Sequence, residues 1–224
     1  MRFDLMLPDP STMRVGKEVY VDLNAGTELH RIHPAVYKAG QFNPTASGDA
    51  RFSPIRDAKG AIIPTIYAAQ TFACAACEII LRCPDVPPVD PKTGLPTLQI
   101  VYPADFRAYA HSVIQTTSAL RLVDLTNAGQ RKIGVNHNTL LAGPRSTYPA
   151  TRGWAERIHA ACPTAHGLYY NSFQCGPEFA IMLFGDRVGQ NALAPVSTRP
   201  VADMPCHGAI RAIAASLSIE YEDV

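Results

Sequence analysis

Apolar positions in this chain fall into short runs, each closed by proline, glycine or a polar cluster. Runs of that length suit strands and brief helices better than long bundle helices. Leu29 to Ile32 (LHRI) predicts a strand, stopped by Pro34. Gln41 to Arg56 (QFNPTASGDARFSPIR) is rich in Gly, Pro, Ser and Asn and predicts a loop. Ile62 to Ala68 (IIPTIYA) predicts a second strand that begins near Pro64 or lies at an edge, because proline cannot donate to a sheet ladder. Thr71 can cap a helix over Phe72 to Arg82, its hydroxyl accepting from a first-turn amide, with Pro84 closing the element.

Beyond a stiff connector from Pro84 to Pro96, Leu98 to Tyr102 and Leu120 to Asp124 read as strands. Asn127 to Pro149 shows no period and predicts irregular structure. Arg152 to Ala161 (RGWAERIHAA) has amphipathic helical spacing. Gly167 to Asn171 (GLYYN) and Phe179 to Phe184 (FAIMLF) predict two strands bracketing Ser172-Phe173-Gln174-Cys175, and His207 to Leu217 a last helix. Strands and helices mix without a regular βαβ alternation, so the class is α+β.

Length and composition narrow the picture. The 224 residues suit a single domain over 1–224, with an arm over 1–27, a core over about 28–190 and a C-terminal helix over about 207–217. Hydrophobic residues make up 47% and charged residues 17%, a globular balance. Twenty basic against 19 acidic side chains leave a net charge of +1, with no electrostatic case for nucleic acid or an anionic membrane. The opening MRFDLMLPDP has no apolar h-region, and no apolar run is long enough to span a bilayer. The six cysteines are too sparse for a secreted disulfide framework, so reduced thiols in a cytoplasmic protein are expected.

Glu78 is the lone charge in "IYAAQTFACAACEIIL". It can pair with Arg82 at i,i+4 on a surface. A helix that is apolar nearly all round is buried, however, and a carboxylate on such a helix must be paired or face a polar cavity. The nearby Cys74-x-x-Cys77 lacks the second cysteine pair of a structural zinc site, so these thiols are expected to pack as small hydrophobes and to hold no metal. His30-x-x-His33 lies on a strand, where the two side chains diverge. A cysteine hydrolase using Cys175 or Cys206 would need a histidine base that no motif supplies.

Arg31 in "LHRIHP", Arg51 in "ARFSP", Tyr67 and Glu78 in the apolar run, and Ser172 in "GLYYNSFQCGPEFAIMLF" follow an order and spacing that resembles the RES domain family, over roughly residues 28 to 190. The resemblance implies an ADP-ribosyltransferase-like fold, with a split, strongly twisted, mixed or antiparallel sheet and flanking helices. It implies a toxin that cleaves the nicotinamide–ribose bond of NAD+ by hydrolysis or phosphorolysis and is blocked by an antitoxin protein. Protein ADP-ribosyl transfer and a non-catalytic nucleotide-binding module are the alternatives, and a homo-oligomer is compatible with either. The implied catalytic residues are Glu78, Arg31 and Ser172, and Arg31, Arg51, Tyr67 and Ser172 would bind NAD+. No cofactor is expected beyond NAD+ as substrate, with inorganic phosphate as a co-substrate of phosphorolysis. Two features depart from the family pattern: Asp105 to Pro149 is long, and Asn171 stands where a proline is expected.

The chemistry suits these residue types. Guanidinium groups bind phosphate oxygens, an aromatic ring stacks on a pyridinium, and a carboxylate stabilises the oxocarbenium that develops as neutral nicotinamide leaves.

Overall fold

The structure, a computed structural model, describes residues 7–189 and 191–222. The first six residues of the expected arm, Gln190 and the last two residues lie outside the described residues. The elements in chain order are β1 (Tyr20–Leu23), β2 (Glu28–Pro34), β3 (Ile55–Arg56), β4 (Ile62–Ile63), β5 (Thr65–Ala69), α1 (Phe72–Ile79), β6 (Gln99–Val101), β7 (Tyr109–Thr116), β8 (Leu120–Asp124), α2 (Asn127–Ile133), α3 (Thr139–Ala142), α4 (Tyr148–Ala161), β9 (Gly167–Asn171), β10 (Phe179–Phe184), β11 (Leu193–Pro200), α5 (Met204–Ser216) and β12 (Ile219–Tyr221). The class is α+β.

An eight-stranded mixed sheet runs in the order β1-β8-β9-β10-β5-β2-β7-β11. Only β8 and β9 pair in parallel; the other neighbours are antiparallel. β2 and β7 stay paired from Glu28 opposite Gln115 to Pro34 opposite Tyr109. β2 and β5 meet at a single pair, His30 opposite Ala69. The sheet therefore splits there, and the two strands diverge around a cleft. Alternation along the strands buries both faces. Ile66, Leu122, Ile181 and Leu183 point into one core, while Val123, Met182 and Phe184 point into the other with α1 and α4. No helix among the described residues is long and apolar enough to cross a membrane.

Several expected elements are found close to their predicted limits. β8, β9 and β10 match, and Thr71 caps α1 by accepting from the Cys74 amide at 3.1 Å. α1 ends at Ile79, short of Arg82, and Pro64 divides the expected strand into β4 and β5.

Two readings need correction. The expected arm contributes β1, which pairs with β8, and its Pro8 carbonyl accepts from Trp154 Nε1 at 2.7 Å. The stretch read as irregular carries α2 and α3. Thr126 caps α2, and Gly134 closes it at φ 99°, the left-handed region that favours glycine. The buried Gln130 then holds the next turn: its amide donates to Leu125 O at 2.8 Å and Asn138 Oδ1 at 2.6 Å, and its carbonyl accepts from Leu140 N at 3.2 Å.

β7 escapes a reading by polarity because its buried positions include His111, Ser112 and Thr116. Ser112 Oγ bonds His33 Nε2 at 2.8 Å and Thr198 Oγ1 at 2.9 Å, while Thr116 Oγ1 donates to Asn24 O at 2.7 Å. These bonds offset the cost of burying the polar groups. β11 is an edge strand carrying Pro195 and Pro200, with a register shift between Pro195 and Ser197.

Gly167 marks the tightest approach between β9 and β10, where a Cβ would sit 2.1 Å from Met182 O and 2.8 Å from Leu183 Cα. Both are backbone atoms that cannot rotate away. Gly167→Ala is expected to lower unfolding free energy by about 2 kcal/mol or more, read as a lower denaturant midpoint with an unchanged slope.

Candidate active site

The divergence of β2 from β5 opens a cleft of about 490 Å³, within the usual range for small-molecule sites. Arg31, Arg51, Tyr67, Glu78, Arg82 and Tyr148 are among the residues that line it. Four of the five residues singled out from the sequence thus share one cavity, although they come from β2, the following loop, β5 and α1.

Arg31 projects from β2, and its guanidinium donates to Ala39 O at 2.8 Å and Lys38 O at 3.3 Å. Burial pushes its pKa down to about 10, so it remains cationic at neutral pH. Arg51 is gripped from several sides. Its guanidinium donates to Gly143 O at 3.0 Å and Leu140 O at 3.3 Å, and stacks 4.8 Å above the Tyr148 ring. Its carbonyl accepts from Thr151 Oγ1, and Arg152 Nε donates to the neighbouring Ala50 O at 3.1 Å. The segment held by Gln130 therefore fixes the arginine.

Tyr67 tethers the same loop, since its hydroxyl accepts from the Phe52 amide at 3.1 Å. Burial pushes Tyr67 up to about 12, so it stays neutral.

Glu78 lies near the end of α1, after the buried Cys74, Ala75, Ala76 and Cys77. It makes no ion pair with Arg82 among the described residues. The helix has ended before Arg82, whose guanidinium instead lies 5.5 Å from the Tyr148 ring centroid. The carboxylate accepts from Ser172 Oγ at 2.6 Å. That hydroxyl itself accepts from Gln174 N at 3.2 Å and Cys175 N at 3.0 Å. Two amides occupy its lone pairs, which leaves its one proton for Glu78. Ser172 is only 2% exposed. The structure thus places it behind the carboxylate, as a support for Glu78, and not on the wall of the cleft.

Three features were missed in the sequence. Arg82 and Tyr148 add a second cation and an aromatic to the Arg51 side of the cleft. The Tyr148 hydroxyl is buried without a hydrogen-bond partner among the described residues. His30 and His111 stack with ring centroids 5.2 Å apart, and Nδ1 of His30 lies 3.0 Å from Nε2 of His111. His33 bonds Ser112 instead, so the two histidines of β2 do not converge. Cys74, Cys175 and Glu178 cluster at the other end of α1. Chemically, the cleft sets cations that can hold anionic oxygens near one carboxylate that can stabilise a developing positive charge.

The RES domain family model matches residues 28–205. The fold aligns with a chain from the crystal structure of the M.tuberculosis MbcT-MbcA toxin-antitoxin complex at a TM-score of 0.60 and 12% sequence identity, covering 89% of this chain and 93% of that one. None of the curated proteins matches the sequence.

The histidines beside the cleft make stability depend on pH. Burial, then the charges of His30, Arg199 and His33, push His111 down to about 4. The unfolded chain takes up that proton near pH 6.5. Between pH 6.5 and about 4 the unfolded state therefore binds a proton that the native state refuses, and stability falls as the pH drops. His30 and His33 are lowered in the same direction, chiefly by burial. Denaturation midpoints across that window should show the loss, and His111→Gln should remove part of the slope.

Proposed function

This chain belongs to the RES domain family, and on that premise we propose that it is a toxin-type enzyme that breaks the nicotinamide–ribose bond of NAD+. The observation that carries the reading is Glu78: a carboxylate on the cleft wall, with no basic partner among the described ion pairs, oriented by a buried serine. A carboxylate fixed in that way suits a transition state that becomes positive, because its orientation is set before the charge develops.

In the proposed mechanism Arg31 and Arg51 bind the pyrophosphate and Tyr67 faces the nicotinamide ring. Glu78 holds the ribose hydroxyls and stabilises the oxocarbenium as the C–N bond breaks. The bonding electrons leave with nicotinamide, which departs neutral, so no general acid is required. Water or inorganic phosphate then adds to the ribose carbon. Ser172 acts through Glu78 by fixing the carboxylate. No cofactor is needed beyond NAD+ itself.

The structural likeness to a chain of a toxin–antitoxin complex supports a protein partner that restrains the enzyme. A partner that closes this cleft would present an acidic side chain or a C-terminal carboxylate to Arg31 and Arg51.

Incubating the purified protein with NAD+, with and without phosphate, should release nicotinamide together with ADP-ribose or its 1-phosphate. Glu78→Gln should keep the fold and lower turnover by about 100-fold to 1,000-fold, the scale of losing one preorganised electrostatic contact. Near wild-type turnover by folded Glu78→Gln would remove Glu78 from the mechanism. In that inactive background, Arg31→Ala and Arg51→Ala should each weaken NAD+ binding by about tenfold or more, measured by calorimetry.

A further inference from the structure

Cys74 and Cys77 sit three residues apart on α1 and so share a helix face. Cys175 and Glu178 show the same spacing in the turn between β9 and β10, as Cys-Gly-Pro-Glu. The fold brings the two pairs together. The Cys74 and Cys175 sulfurs and a Glu178 carboxylate oxygen all lie within 4.8 Å of one another. Cys175 Sγ lies 3.8 Å from Glu178 Oε2, and Cys77 follows Cys74 by one turn on the buried face of α1. The cysteines are free. The expectation that these thiols only pack rested on the lack of a second cysteine pair, and a carboxylate can complete such a pair.

We propose that Cys74, Cys77, Cys175 and Glu178 form a binding site for a zinc-class divalent cation that ties the Ser172 turn to α1.

The donor set fits that ion. Zinc takes thiolates and a carboxylate in tetrahedral sites, and metal–sulfur bonds of about 2.3 Å place tetrahedral sulfurs about 3.8 Å apart. Separations of 3.8 to 4.8 Å close onto a shared ion with small side-chain rotations. Glu178 makes no ion pair with a basic side chain among the described residues. Its Oε2 accepts from Thr71 Oγ1, the hydroxyl that also caps α1. Such a second bond orients a ligating carboxylate. Each thiol that ligates releases its proton to solvent, so binding strengthens as the pH rises.

The site is separate from the cleft but shares its supports. The Cys175 amide donates to Ser172 Oγ, and the Ser172 amide donates to Glu178 O at 2.8 Å. Both ends of the serine turn are thus carried by proposed metal ligands. An ion there would hold the Ser172–Glu78 bond in place without touching substrate.

The test uses the full chain, purified under reducing conditions, exposed to zinc and then desalted. About one zinc per chain should remain. Replacing zinc by cobalt(II) in the wild-type protein should give a thiolate-to-cobalt charge-transfer absorption. Cys175→Ser and Glu178→Gln, each checked for folding by circular dichroism, should weaken zinc binding by at least about tenfold. Cys83→Ser, at an exposed thiol outside the cluster, should leave binding unchanged. Folded, reduced wild-type protein that retains no zinc and gives no cobalt–thiolate absorption would overturn the proposal. So would zinc held equally well by Cys175→Ser and Glu178→Gln, since the ion would then lie elsewhere.

Discussion

The candidate site depends on one broken ladder. β2 is paired along its length with β7, but its ladder with β5 holds the single pair His30 and Ala69. A second or third pair between β2 and β5 would close the sheet and eliminate the cleft. Divergence leaves the backbone groups of both strand ends short of partners, which must be met by other means. The Asn43 bridge to Thr65 meets part of that need on β5. On β2, the paired β7 satisfies the opposite edge. The split is therefore a property of the whole sheet, not of the residues that line it.

What fills the split is arranged in layers of support. Arg51 stays in place because Leu140 and Gly143 turn their carbonyls toward it, and Leu140 is placed by Gln130. Glu78 is held by Ser172, which is in turn held by two amides of its own turn. Arg51 and Glu78 are thus each fixed by neutral groups behind them. Neutral supports leave the net charge of the cleft to the lining residues, where a ligand can feel it.

Much of this was legible in the sequence, for specific reasons. The run from Ile66 to Leu81 announces a strand, a cap and a buried helix, and its lone carboxylate has few places to go except a cavity. β9 and β10 are apolar enough to be read directly. β7 was not, because His111, Ser112 and Thr116 are buried against partners far away in the chain. The helices between Asn127 and Pro149 were hidden for a similar reason: Gln130 looks like a surface residue until its three partners are in place. The resemblance implies that Ser172 binds NAD+, and only the fold shows its hydroxyl turned to Glu78, since a sequence gives no sign of which way a hydroxyl faces.

Trp154 is the one tryptophan in the chain. It is fully buried, and its indole is bonded to the carbonyl of Pro8. Its helix neighbours Thr151 and Arg152 hold the backbone of Arg51 and Ala50. The tryptophan fluorescence of the molecule therefore comes from a single, dry position between the N-terminal segment and the arginine loop. That gives the fold a built-in optical probe: detachment of the first segment would admit water to the indole and red-shift its emission.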